Sequence, residues 1–210
     1  MQVQILPPLP WLFREPGART RAFELAARTY SFLLGIYLGD GHIVAVKKSY
    51  RLHIYLNVEN HDLIDRVARA ITTLLPDRSV AFVPHGGAIA VSTYFAGWPW
   101  LFPQHGPGRK HTRRIALEPW QRDVVAQYPE EFARGCIESD GSRHRRIVNG
   151  KNYPAYNFVN NSEDILRLFT SACDLFGIHW TRASRTTISI ARRADVTRLD
   201  RLFDYREPSS

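Results

Sequence analysis

The sequence predicts an α+β protein built twice over: two halves of order α-β-β-α-β-β, with one further helix closing the second. Three observations predict it. The composition is globular, with 210 residues, 44% hydrophobic and 23% charged. The apolar pattern switches between helical and strand periods along the chain. The chain also repeats itself at an offset of 100 residues.

The repeat is carried by LLGIYLGDG at 33–41 and ARGCIESDG at 133–141, which align Gly35, Asp40 and Gly41 with Gly135, Asp140 and Gly141. Asn57 and Asn60 align with Asn157 and Asn160 at the same offset. A helical pattern follows in both halves: Ile64, Val67, Ile71, Leu74, then Ile165, Leu168, Ala172, Leu175 after one inserted residue.

Each half then reads in order. Phe23, Ala26, Ala27, Tyr30, Leu33 and Leu34 predict a helix over 22–39, stopped at Gly41 as by a glycine just past a C-terminus. A strand is expected near 42–48. The next, 51–58, alternates Leu52, Ile54, Leu56 and Val58 against Arg51, His53, Tyr55 and Asn57. A helix over 61–75 ends before Pro76, and strands near 79–83 and 88–93 flank a Gly86-Gly87 turn. Pro129, at a first helical position with Glu130 and Glu131 behind it, opens the second half. Strands near 143–149 and 153–159, a helix over 163–176, strands near 179–183 and 186–191, and a helix over 194–204 follow. The expected organisation is an N-terminal arm (1–21), a first half (22–98), a linker with a short helix (99–128) and a second half (129–206).

Composition narrows the function. No apolar run reaches the roughly 18–20 residues of a membrane span, and MQVQILPPLPWLF lacks a basic leader region. Two cysteines, Cys136 and Cys173, exclude a disulfide framework and a four-cysteine zinc site. A soluble, cytoplasmic, nucleoid-associated protein with no membrane partner is expected. Twenty-four arginines and 4 lysines face 20 acidic residues, for a net charge of +8 and a pI near 9.8. Codon bias in a GC-rich genome explains arginine over lysine. It does not explain basic over acidic, and the excess points to a polyanion.

The repeated motif carries the chemistry. Gly35 and Gly39 share one helix face, as do Gly135 and Ser139. Glycine inside a helix costs about 0.5–1 kcal/mol relative to alanine, so Gly35 and Gly135 suggest a helix interface of close approach. Two motif helices packed about a pseudo-twofold axis would set Asp40 beside Asp140, each disfavoured by its helix dipole. A divalent cation such as Mg²⁺ would reverse both terms, and oxygen-only ligands suit it. Either aspartate alone reads as an ordinary helix-stop residue. His42, His105 and His111 lack metal-binding spacing, and Trp98, Trp100, Phe102 and Trp120 read as packing under the linker.

LLGIYLGDG and ARGCIESDG resemble the two copies of the motif of the LAGLIDADG homing endonucleases, in their single-chain, two-motif form. The resemblance covers about residues 23–205. It implies two pseudo-symmetric αββαββα halves, each with a four-stranded antiparallel sheet, forming a DNA-binding saddle in a monomer. It implies metal ligation by Asp40 and Asp140, with carbonyls from Gly39 and Ser139, and catalytic support from Asn60, Asn160 and Lys110. It also implies double-stranded DNA as partner. The earlier acidic position of the motif holds Leu38 in one copy and Glu138 in the other. Candidate DNA-binding residues on the strands and hairpins are Lys47, Lys48, Arg51, His53, Tyr55, Asn57, Arg143, Arg145, Arg146, Lys151, Arg182 and Arg185. Three functions stay open: a metal-dependent site-specific endonuclease, a DNA-binding regulator that does not cut, and an RNA-binding protein.

Overall fold

The computed structural model describes residues 21–205, so the expected arm lies outside the described residues except for Arg21. The chain divides into two compact units, Met1–Pro107 and Gly108–Ser210, which split the expected linker between them.

The first unit runs α1 (Arg21–Asp40), β1 (Gly41–Val46), β2 (Ser49–Asn57), α2 (His61–Leu74), β3 (Ala81–His85), β4 (Ala88–Tyr94) and a short α3 (Trp98–Leu101). Its antiparallel sheet has the order β1-β2-β4-β3. The second unit opens on a 3₁₀ turn at Lys110–Thr112. It continues with α4 (Pro119–Gln127), α5 (Pro129–Asp140), β5 (Gly141–Val148), β6 (Lys151–Val159), α6 (Glu163–Leu175), β7 (Thr181–Ser184), β8 (Thr187–Ile190) and α7 (Arg193–Leu202). Its sheet repeats the order as β5-β6-β8-β7. The duplicated α+β architecture read from the sequence is thus the fold.

The core sits on one face of each sheet. Leu52, Ile54 and Leu56 of β2 are buried, as are Leu63, Ile64, Val67, Ile71 and Leu74 of α2. Each such side chain contributes about 1.5–3 kcal/mol by leaving water. Asn60 starts α2 by accepting from the Leu63 N–H at 3.3 Å, and Ser162 starts α6 by accepting from Ile165 N–H at 3.4 Å. In the second unit Phe158 of β6 meets Phe169 of α6, ring centroids 4.4 Å apart.

The stretch after β4, at the boundary of the first half and the linker, folds as α3. Trp98 is fully buried and donates its indole N–H to Thr93 O at 3.1 Å. Phe102 stacks on Tyr37 of α1 at 4.3 Å and on Trp98 at 5.6 Å. This aromatic stack fixes α1 in the first unit. β3 lies two residues later than expected because Pro84, which has no N–H, is accepted on an edge strand. Asn149 and Gly150 both take positive φ, 51° and 75°, and close the β5–β6 hairpin in two residues.

Gly41 and Gly141 end their helices without a positive φ. Gly141 has extended φ −103° and ψ 170°, and strand β5 begins on it directly. A Cβ at Gly141 would lie 2.5 Å from Ile137 O, and one at Gly41 would lie 2.7 Å from the Tyr37 Cα. Glycine is required here because the strand turns back against the last turn of its own helix. Gly141→Ala is expected to destabilise the fold by about 1–3 kcal/mol or more, as overpacking against backbone does. A denaturation midpoint equal to wild type would contradict the account of this turn.

Candidate active site and nucleic-acid interface

The helix-to-strand turn places an aspartate at the last position of each motif helix, Asp40 on α1 and Asp140 on α5. In the second unit the surroundings of that carboxylate are explicit. Asn160, two strands' breadth of sequence later at the end of β6, donates its amide N–H to Asp140 Oδ2 at 2.7 Å. The same side chain accepts from Ser162 N–H at 2.8 Å, so its orientation is fixed from both ends. Burial pushes the Asp140 carboxyl above its ordinary range, while the Asn160 hydrogen bond and the nearby charge of Lys110 pull it back. Lys110 thus stands near Asp140 within one unit. In the first unit the counterpart positions are Asn60 and Leu38. Asn60 accepts from Leu63 N–H and caps α2, and Leu38 is buried among apolar groups. Glu138, at the position of Leu38, pairs with Arg134 one turn away at 2.9 Å.

Among the described residues, no group of three or more His, Cys, Asp or Glu side chains is placed to hold a metal ion. The donors therefore do not form an all-protein cage. They do fit a hard cation that takes one or two carboxylates and fills its other positions with water and substrate phosphate oxygens, the Mg²⁺ habit. The raised carboxyl of Asp140 is the mark of a buried negative charge that its neighbours only partly compensate. Gly39 and Ser139 precede the two aspartates on the same helices; Ser139 Oγ bonds back to Cys136 O at 3.0 Å. Cys136 is fully buried, and burial first, then Asp140, raises its thiol well above the ordinary value, which makes it inert as a nucleophile.

The linkage has a definite sign. The Asp140 carboxyl is raised in the folded state, so its contribution to stability is present at acid pH and is lost as pH rises through its folded pKa. Asp140→Asn is therefore expected to raise the Tm of the metal-free protein near pH 7. The advantage should fade toward pH 4, and Mg²⁺ should raise the Tm of the wild type more than that of the variant. A variant that is less stable at pH 7 than at pH 4, relative to wild type, would contradict the electrostatic reading.

Cross-strand register sorts the strand residues by face, because directly opposed residues point the same way. In the first unit Arg51, His53, Tyr55 and Asn57 occupy the face opposite the core, joined by Ser92 and Tyr94 of β4 and His85 of β3. Arg51 Nε donates to Ser92 Oγ at 2.7 Å, and its guanidinium lies 4.9 Å above the Tyr94 ring. Tyr55 stands 5.8 Å from His53 and 5.2 Å from His85 between ring centroids. Burial, then Arg51 and His42, lowers the His53 pKa, so this imidazole is neutral at pH 7. Lys47 and Lys48 form the exposed tip of the β1–β2 hairpin.

In the second unit the corresponding face carries Ser142, His144 and Arg146 of β5 with Tyr153 and Asn157 of β6. Arg146, Asn149, Lys151, Tyr153 and Ala191 line a hollow of about 320 Å³ at the hairpin end. Arg185 is exposed in the β7–β8 turn. Three other expected DNA contacts lie on the helix-bearing face instead. Arg143 is opposite buried Tyr156, and its Nε and Nη2 donate to Asp200 of α7 at 2.8 and 3.1 Å. Arg145 has the same strand parity. Arg182 is opposite buried Ile188 and pairs with Glu163 at 2.6 Å. Three buried polar atoms with no partner among the described residues lie on the open faces: His53 Nδ1, His144 Nδ1 and Asn157 Oδ1. Ser92, Tyr94 and His144 were missed from sequence; only the pairing of β4 with β2, and of β5 with β6, brings them to this surface.

The geometry has known counterparts. A structure of mesophilic variants from the homing endonuclease I-DmoI aligns at TM-score 0.56 and 11% identity, covering 86% of this chain and 98% of that one. I-DmoI in complex with DNA and Ca aligns at 0.59 and 14%, covering 87% and 92%. The N-terminal LAGLIDADG domain of DUF199/WhiA aligns at 0.54 and 15%, covering 94% and 88%. The chain has the LAGLIDADG fold. It has it in the single-chain form, with one motif helix in each unit. No family model matches the sequence, and a search of curated proteins finds no match. Among the described residues, no helix is long and apolar enough to cross a membrane.

Proposed function

We propose that this chain binds double-stranded DNA through the open faces of its two sheets and is a divalent-metal-dependent, site-specific endonuclease acting as a monomer. The observation that supports it most is the Asp140 site: a carboxylate at the end of a motif helix, held by Asn160 at 2.7 Å, with Lys110 close by. That is a half-compensated acidic site beside a cationic side chain, ready for a cation and a phosphate.

Asp40 and Asp140 would each offer a carboxylate to a divalent cation, with Gly39 and Ser139 offering backbone carbonyls; a bound cation would supply charge stabilisation at the scissile phosphate. Asn160 orients the Asp140 carboxylate. Lys110 presents a positive charge toward the same place, suited to the charge that develops during phosphodiester hydrolysis. Asp40 serves one strand and Asp140 the other. Lys47, Lys48, Arg146, Lys151 and Arg185 anchor phosphates, while Arg51, His53, Tyr55, Asn57 and His144 face base edges. Water is the nucleophile, since the one cysteine near Asp140 is buried and inert.

A second reading keeps the DNA surface without cleavage. It draws on the first unit, where Leu38 is buried at the position that Glu138 holds in the second. Incubation of the full chain with bound duplex separates the two: Mg²⁺-dependent cut ends, abolished by a chelator, support the nuclease, and stable binding with intact duplex supports the regulator.

A further inference from the structure

Among the described residues, Arg134, Arg143, Arg167, Arg182 and Arg198 are held by carboxylates, which offset their charge and occupy donors of their forks. Arg51 is held by neutral groups only. Ser92 Oγ takes its Nε proton at 2.7 Å, and Tyr94 supports its plane from 4.9 Å. Nε is thereby committed, while no carboxylate of the described residues is paired with the guanidinium. A guanidinium so anchored loses little rotamer freedom on binding, which is the requirement for selective rather than merely adhesive contact.

Its position in the sheet says what it meets. In the order β1-β2-β4-β3, Arg51 stands on an interior strand, with Val44 of β1 on one side and Tyr94 of β4 on the other. Four strands about 4.8 Å apart span roughly 14 Å, close to the ~12 Å width of a DNA major groove. Edge strands and hairpin tips then meet the phosphate walls, where Lys47 and Lys48 are found, and interior strands face the floor of base edges. An arginine fork on the floor matches one base above the others: the paired acceptors O6 and N7 of guanine.

Resting on the DNA-binding reading above, we propose that Arg51, buttressed by Ser92 and Tyr94, is a specificity-determining residue that reads a single guanine in the major groove. The test uses the full chain and duplexes recovered by binding from a randomised library. Wild type should select guanine at one fixed position, and 7-deazaguanine there should weaken binding roughly 5- to 150-fold. Arg51→Gln should lose that preference at that position alone, keep the other preferences, and be insensitive to 7-deazaguanine. Ser92→Ala, which frees Nε, should weaken the preference in the same place. Enrichment of sequence with no guanine position sensitive to Arg51→Gln, together with a salt slope lowered by about one, would make Arg51 a phosphate contact and overturn the proposal while DNA binding stands. Failure of the wild type to bind duplex at all would overturn the functional reading itself, and this one with it.

Discussion

Asp140→Asn is expected to lower the rate of double-strand cleavage by at least about a thousandfold while duplex affinity changes little, and Asp40→Asn is expected to do the same. Metal stabilisation of a developing phosphate charge is worth several kcal/mol, and each 1.36 kcal/mol is tenfold in rate. The substitution keeps the shape of the side chain and removes only the charge that would hold the cation. Asn160 could still bond an amide at this place, so the local fold persists. Affinity should persist, because on the proposed reading it comes from the strand faces and hairpin tips rather than from a carboxylate, which repels DNA. Cleavage of a labelled duplex, followed strand by strand, checks this. The two variants should differ in which strand is nicked first. A variant that cuts both strands at the wild-type rate would contradict the assignment of one carboxylate to each strand.

The second large effect concerns salt. If the open faces neutralise about six phosphates, duplex affinity should fall by about three orders of magnitude between 50 and 200 mM salt. Charge reversal of Arg146 or Lys48 should weaken binding and flatten the slope of log affinity against log salt by about one or more. Arg145 and Arg201 are the controls. Both are exposed, yet Arg145 has the parity of the helix-bearing face and Arg201 lies on α7. A basic excess that came only from codon usage would make all four variants alike. Equal slopes would remove the open faces as the DNA surface.

The duplication was legible because it is written in residues with no substitute. Gly41 and Gly141 admit no Cβ, and the aspartates before them are fixed in register to the helix end. Asn160 was legible by its offset, and its bond to Asp140 follows from β6 ending where α5 ends. Asn60 has the same offset, and its side-chain oxygen accepts from Leu63 N–H at the start of α2 much as that of Asn160 accepts from Ser162 N–H before α6. Strand sidedness was legible for β2, where apolar and polar residues alternate cleanly. It was not legible for β5, because SRHRR carries polar residues on both faces and Arg143 is satisfied by a carboxylate 57 positions away. The short α3 was hidden for a related reason: Pro99 within it and Gly97 and Pro103 beside it are loop signals, while its anchor is the burial of Trp98 and the stacking of Phe102 on Tyr37 of α1.

The central claim is that the motif aspartates make this surface a nuclease and not only a DNA clamp. The most direct measurement is sequencing of ends after the full chain is incubated with a randomised duplex library and Mg²⁺, beside the Asp140→Asn variant. The account predicts paired ends recurring within one consensus for the wild type, none without divalent cation, and none or single-strand nicks only for the variant. Recovery of a bound consensus from the wild type with every duplex intact would contradict it.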